Sequence, residues 1–118
     1  MTPAKINLII YQGSTFKKDI QWLIGTPAIP VDITGYTFRM QIREKIKDTI
    51  FLIELTTENS KIIITSATEG RFSLVLTATE TSLLNFKSAV YDLEVITPSG
   101  TVSRFCEGSV QLSLEVTR

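Results

Sequence analysis

The chain has 118 residues, 43% of them hydrophobic and 20% charged, a balance that suits one folded domain with a modest core and excludes an intrinsically disordered chain. Twelve basic and twelve acidic residues cancel to zero formal charge, so no basic excess is available for nucleic-acid phosphates and little self-repulsion keeps copies apart. Histidine is absent and cysteine occurs once, at Cys106, which removes an intrachain disulfide, the commonest general base and most zinc-binding sets.

The first segment, "KINLIIYQGS", is expected to be an end strand. Its apolar run Ile6, Leu8, Ile9, Ile10 is broken by Asn7 and is too short for a signal sequence or a membrane span. An apolar edge strand invites pairing with other chains unless something covers it, and in an assembly protein the cover is a neighbouring subunit. "TFKKDIQWLI" places Phe16, Ile20, Trp22 and Ile24 on one side and Lys17, Asp19 and Gln21 on the other. This alternation marks a half-buried strand. Trp22 is in phase with the core positions, and the alternative is an anchor for a partner protein.

"GTPAIP" (Gly25 to Pro30) and "DITG" (Asp32 to Gly35) are turn signals. In the second, Asp32 is placed to bond the backbone two residues on, and Gly35 admits a positive φ. Tyr36 then starts a strand in which Phe38, Met40 and Ile42 alternate with Arg39, Gln41 and Arg43. "TIFLIEL", Thr49 to Leu55, is less tidy and is expected to be buried on both faces, Glu54 excepted.

After the turn signals "TENSK" and "ATEG", the segment "RFSLVLT" sets Phe72, Leu74 and Leu76 against Arg71, Ser73, Val75 and Thr77. In "TATETSLLNF", Thr77 precedes Glu80 by three residues, the spacing of a capping box, and predicts a short helix near residues 79–85 bridging two strands at one end. "AVYDLEV" opposes Ala89, Tyr91, Leu93 and Val95 to Val90, Asp92 and Glu94. "TPSG" (Thr97 to Gly100) should close a hairpin between the last two long strands, with Pro98 at the first central turn position. The last strand has a phase conflict, because Phe105 is odd while Val110, Leu112, Leu114 and Val116 are even. If both sets face the core, one residue must be absorbed, and Gly108 is the expected bulge. The alternatives are two separate strands, or a Phe105 that faces out.

Strands at roughly 8–12-residue spacing with regular turns indicate a sandwich or barrel. The fold class is therefore all-β, an antiparallel β-sandwich with one short helix, and residues 1–118 form one domain without repeats or linkers.

Chemistry is sparse. A serine or cysteine nucleophile has no histidine to activate it, and Cys106, between Phe105 and Glu107 in a strand, reads as a small buried hydrophobe. Asp92 and Glu94 share a strand face, a spacing that does not by itself exclude paired carboxylate chemistry but ordinarily marks a solvated surface. No calcium-loop order or glycine-rich phosphate loop is present. No enzyme activity, cofactor, metal or small-molecule substrate is expected. Arg39, Gln41 and Arg43, with Tyr11, are the candidate protein-contact face. The competing reading is a wet sheet face whose arginines meet Asp92 and Glu94 across strands. A nucleic-acid platform would interleave exposed aromatics with the basic groups, whereas Phe38 lies on the opposite side.

Several stretches in this order, "YQGSTFKKDIQWL", "PVDITGYTFRMQIRE", "LIELTTENSKIIIT", "AVYDLEVITPSGTVSRFCEG" and "LEVTR", resemble small bacteriophage structural proteins similar to the N-terminal domain of the phage baseplate upper protein, an immunoglobulin-like sandwich. The resemblance runs from about Ile9 to Arg118. It implies an immunoglobulin-like fold and a non-enzymatic virion protein, made in the bacterial host cytoplasm, that docks as a homo-oligomer, a trimer or hexamer, at the tail, baseplate or neck. In the full-length baseplate protein a helical stalk follows this domain; here the chain stops at Arg118, which implies an adaptor or assembly module. Its partners would be copies of itself and other virion proteins, not nucleic acid or membrane. A capsid decoration or head-fibre protein is the alternative within the same class, and a domain binding host-surface glycans is the rival from another.

Overall fold

The computed structural model describes residues 1–117. In chain order its strands are β1 (Ala4–Lys5), β2 (Leu8–Tyr11), β3 (Phe16–Gln21), β4 (Leu23–Ile24), β5 (Ile29–Pro30), β6 (Thr37–Arg43), β7 (Ile53–Thr56), β8 (Ile62–Ser66), β9 (Arg71–Leu76), β10 (Ser88–Ile96) and β11 (Val102–Ser113). The helix α1 (Ala78–Ser82) joins β9 to β10. The larger sheet runs β11–β10–β6–β7, with β1 and β2 both pairing along the outer side of β11. The smaller sheet runs β3–β9–β8. This is the GFC sheet of an immunoglobulin-like sandwich with one added strand, facing its BED sheet.

Period-two alternation makes the core. Phe38, Met40 and Ile42 of β6 and Ala89, Tyr91, Leu93 and Val95 of β10 are buried, and meet Ile62 of β8 and Phe72, Leu74 and Leu76 of β9. Phe38 stacks on Phe72 across the layers at 4.2 Å. Trp22 is half-buried at the margin, edge-on to Phe105 at 5.3 Å and to Tyr36 at 6.2 Å. The pairs within the two sheets are antiparallel except that β1 and β2 run parallel to β11.

Local signals act as their chemistry dictates. Asp32 Oδ1 accepts from the backbone N–H of Thr34 at 2.9 Å, and Gly35 has a φ of 80°, open to glycine without the steric cost that a Cβ imposes. The Thr97–Gly100 turn closes through a 2.9 Å bond from Gly100 N–H to the Thr97 carbonyl, and β10 and β11 pair as its hairpin. Thr77 and Glu80 form the capping box of α1. The helix occupies 78–82 instead of the predicted 79–85, with Leu84 buried just beyond its end.

Four expectations are corrected. Ile24 is 63% exposed, because the chain leaves β3 after Gln21 and forms a separate β4–β5 arm. "TIFLIEL" is not buried on both faces: Ile50, Phe51 and Leu52 are exposed, because β7 starts only at Ile53, where it pairs with Ile42 near the end of β6. The last strand's phase shift lies at Phe105, not Gly108. Leu93 pairs with Cys106 and Glu94 with Arg104, so Phe105 is the additional residue that lets both Phe105 and Cys106 reach the core. Leu114 and Val116 are exposed, since β11 ends at Ser113 opposite Tyr11, the last residue of β2.

Gly108 has a different task. A Cβ there would stand 2.2 Å from the carbonyl oxygen of Ile6. The missing side chain lets the N-terminal segment lie against β11, where the Tyr91 hydroxyl donates to that same carbonyl at 2.6 Å.

Candidate functional site

The outer face of the larger sheet holds the predicted charged row. With Phe38, Met40 and Ile42 inside, β6 must turn Arg39, Gln41 and Arg43 outward. By the same alternation β10 presents Val90, Asp92 and Glu94, and register brings each beside its neighbour: Arg43 with Val90, Gln41 with Asp92, Arg39 with Glu94. Glu54 flanks Gln41 from β7, and Arg104 and Glu107 come from β11 on the other side of β10.

These side chains neutralise one another. Arg39 Nε bonds Glu94 Oε1 at 2.6 Å. Arg104 reaches Glu107 at 2.9 Å and Asp92 at 3.6 Å, and Lys5 also pairs with Glu107. Gln41 Nε2 donates to Glu54 at 2.7 Å and its Oε1 accepts from Arg43 at 2.5 Å, while Arg43 also donates to the Asp48 carbonyl at 2.8 Å. Hydrogen bonds from Lys5 and then Arg104 hold the Glu107 carboxyl below its usual range. Burial pushes Asp92 the other way, against the opposing pull of Arg104. Pairs this exposed are screened by solvent and contribute little to stability. A partner approaching this face meets little net charge.

The face encloses a shallow concavity of about 640 Å³ lined by Arg39, Gln41, Asp92 and Arg104 among others. Tyr91 on its wall turns inward to bond Ile6, so it offers no open ring for a sugar to stack on. Burial raises both Tyr91 and Cys106 above their ordinary pKa ranges, which leaves the Cys106 thiol protonated and poorly nucleophilic at neutral pH. Among the described residues no three His, Cys, Asp or Glu side chains gather to hold a metal ion, and no helix is long and apolar enough to cross a membrane.

Arg39, Gln41 and Arg43 therefore sit together. Tyr11 does not join them: it projects from the far end of β2 at the sheet's edge, opposite Ser113, and lies outside the concavity.

The alternation pattern gave no warning of two apolar surfaces. The β4–β5 arm exposes Leu23, Ile24 and Ile29. The β6–β7 connection exposes Ile46 (82%) and Ile50 (79%), with Phe51 and Leu52 less so. The arm leaves the sandwich near the start of β6 and the connection leaves from the end of that strand, with Ile46 also lining the concavity. Both surfaces fall in or beside the connections between strands, where a period-two template assigns no face.

No family model matches the chain, and no curated protein matches it. Among solved structures it is similar to a chain from a study of T cell specificity and activation by the bacterial superantigen toxic shock syndrome toxin-1, at 16% identity and a TM-score of 0.46, covering 96% of this chain and 94% of that one. It is also similar to extracellular domains 3–5 of Drosophila OTK, at 12% identity and a TM-score of 0.39, covering 90% of this chain and 32% of that one. Likenesses of this degree carry no argument about function.

Proposed function

We propose that the protein is a non-enzymatic structural module of a bacteriophage or prophage virion, an adaptor that works by oligomeric docking at the tail, baseplate or neck. The observation that carries this reading is the pair of exposed apolar surfaces, Leu23, Ile24 and Ile29 on the β4–β5 arm and Ile46, Ile50 and Phe51 on the β6–β7 connection. Apolar surface of this kind, left open on a free chain, favours burial against other proteins. The virion setting is supported by the ordered sequence stretches that resemble the baseplate upper protein's N-terminal domain. The self-compensated charge of the β6–β10–β11 face supports a surface gripped by partners over one that binds and turns over a substrate.

Glycan binding has weaker support, because the concavity has no outward-facing ring. Size-exclusion chromatography with light scattering tests the proposal. A stable trimer or hexamer is the expected result, with an interface exceeding roughly 1,000 Å². A strict monomer that binds a glycan would overturn it.

A further inference from the structure

Register lays one straight row across the larger sheet: Lys5 of β1, Glu107 of β11, Asp92 of β10, Gln41 of β6 and Glu54 of β7. Asp92 and Glu107 therefore stand directly opposite each other on neighbouring strands. Glu94 follows two residues along β10 on the same face. Like charges placed directly across a strand pair are destabilising.

The surrounding cations are shared unequally between the two opposed acids. Glu107 accepts a hydrogen bond from Arg104 at 2.9 Å and also pairs with Lys5. Asp92 has the same guanidinium at 3.6 Å, and among the described residues no hydrogen bond reaches its carboxyl. Arg39 is bonded to Glu94 at 2.6 Å. Gln41, the neighbour of Asp92 on β6, gives its N–H to Glu54 at 2.7 Å, and Arg43 donates to the Gln41 side-chain oxygen and the Asp48 carbonyl. The β6–β7 connection adds only apolar Ile46 to this concavity. Of the opposed pair, half-buried Asp92 is the less compensated.

We infer that the Asp92–Glu107 pair is an acid-responsive switch in the charge of this face: as the pH falls, Asp92 takes up a proton while Glu107 stays ionised on Arg104 and Lys5. The face then carries one more positive charge than at neutral pH, and its contacts with acidic surfaces strengthen. Burial raises the Asp92 carboxyl against the pull of Arg104, and Glu94 and Glu107 add to the rise; hydrogen bonds from Lys5 and Arg104 lower Glu107. Two acids that share a site divide in this way. Because the folded chain holds the Asp92 proton more tightly than the unfolded chain, ionised Asp92 lowers stability at neutral pH. That loss fades as the pH falls through the raised folded value towards 3.8. Glu107 has the opposite sign: its contribution is present above 4.5 and is lost as the pH falls through its lower folded value.

The test is a carboxyl-carbon NMR titration of the wild type and E107Q, with urea midpoints of the wild type, D92N and E107Q. Both positions face outward, so the variants should keep the wild-type circular dichroism. The expected wild type has an Asp92 midpoint above 3.8 and a Glu107 midpoint below 4.5. In E107Q the Asp92 midpoint should move to lower pH, since a repelling charge is gone and Arg104 is released to Asp92. D92N, whose amide copies the protonated acid, should raise the urea midpoint at neutral pH and lose that advantage in acid, whereas E107Q should lower it. An Asp92 that titrates at or below 3.8 in the wild type would overturn the switch by itself, whether or not a variant folds. So would an Asp92 midpoint unmoved by E107Q, or a D92N less stable than the wild type at neutral pH.

Discussion

Replacing Gly108 with alanine tests how the N-terminal segment is held. The new methyl would lie 2.2 Å from the Ile6 oxygen and 2.8 Å from its carbon, and ordinary carbon–oxygen contacts begin at about 3.3 Å. The obstacle is backbone, so the segment must retreat by about 1 Å. Three hydrogen bonds depend on its position: Ile6 N–H to the Glu107 carbonyl at 2.9 Å, Tyr91 hydroxyl to the Ile6 carbonyl at 2.6 Å, and Ser109 N–H to Asn7 Oδ1 at 3.1 Å. At about 1 kcal/mol each, with some recovered by water, the loss is about 2–3 kcal/mol. Gly108 does not occupy the left-handed region, and alanine within a strand is otherwise favoured by about 0.5–1 kcal/mol, so any net loss is steric. Net of that gain the loss is about 1–2.5 kcal/mol, and for a chain of this length the melting temperature should fall by about 5–10 °C. Calorimetry gives the shift, and amide exchange should quicken at Ile6, Leu8 and Ile10 before the rest of the sheet. A variant melting within about 2 °C of wild type with unchanged exchange there would refute the close-approach argument.

Hydrogen bonding from the Thr77 backbone N–H, then from Lys61, holds the Glu80 carboxyl below its ordinary 4.5. Its contribution is therefore present above pH 4.5 and is lost as the pH falls through the lower folded value. Urea midpoints of wild type and E80Q should differ at neutral pH and converge in acid; a constant gap would show that Glu80 ionisation is not the cause. N59A should lower stability by about 1 kcal/mol and speed exchange at the Thr56 amide, because its N–H donates to Asn59 Oδ1 at 2.9 Å. Unchanged exchange at Thr56 would mean that the amide is protected by something else.

Much of the fold was legible in the sequence because half-buried strands carry a period of two. Phe38, Met40 and Ile42, and likewise Tyr91, Leu93 and Val95, declare their core face without knowledge of any partner. Thr77 and Glu80 announced the helix start, and Asp32 with Gly35 the turn before β6, because those bonds close within a few residues. The row Arg39, Gln41, Arg43 was visible for the same reason, and its pairing with Glu94 followed once strands β6 and β10 were adjacent.

Side-chain order along the chain therefore decided which residues are inside and where the chain turns. Tertiary structure alone decided what depends on distant neighbours. Phe105 became the bulge because β10 and the aromatic cluster of Trp22 and Phe72 lie on either side of it. Gly108 is needed because a segment about a hundred residues earlier in the chain crosses it. Ile24, Ile50 and Leu114 are exposed because no strand continues beneath them. Hydrophobic period tells which way a side chain points, but backbone hydrogen-bonding partners come from sheet order, which only the assembled sandwich decides.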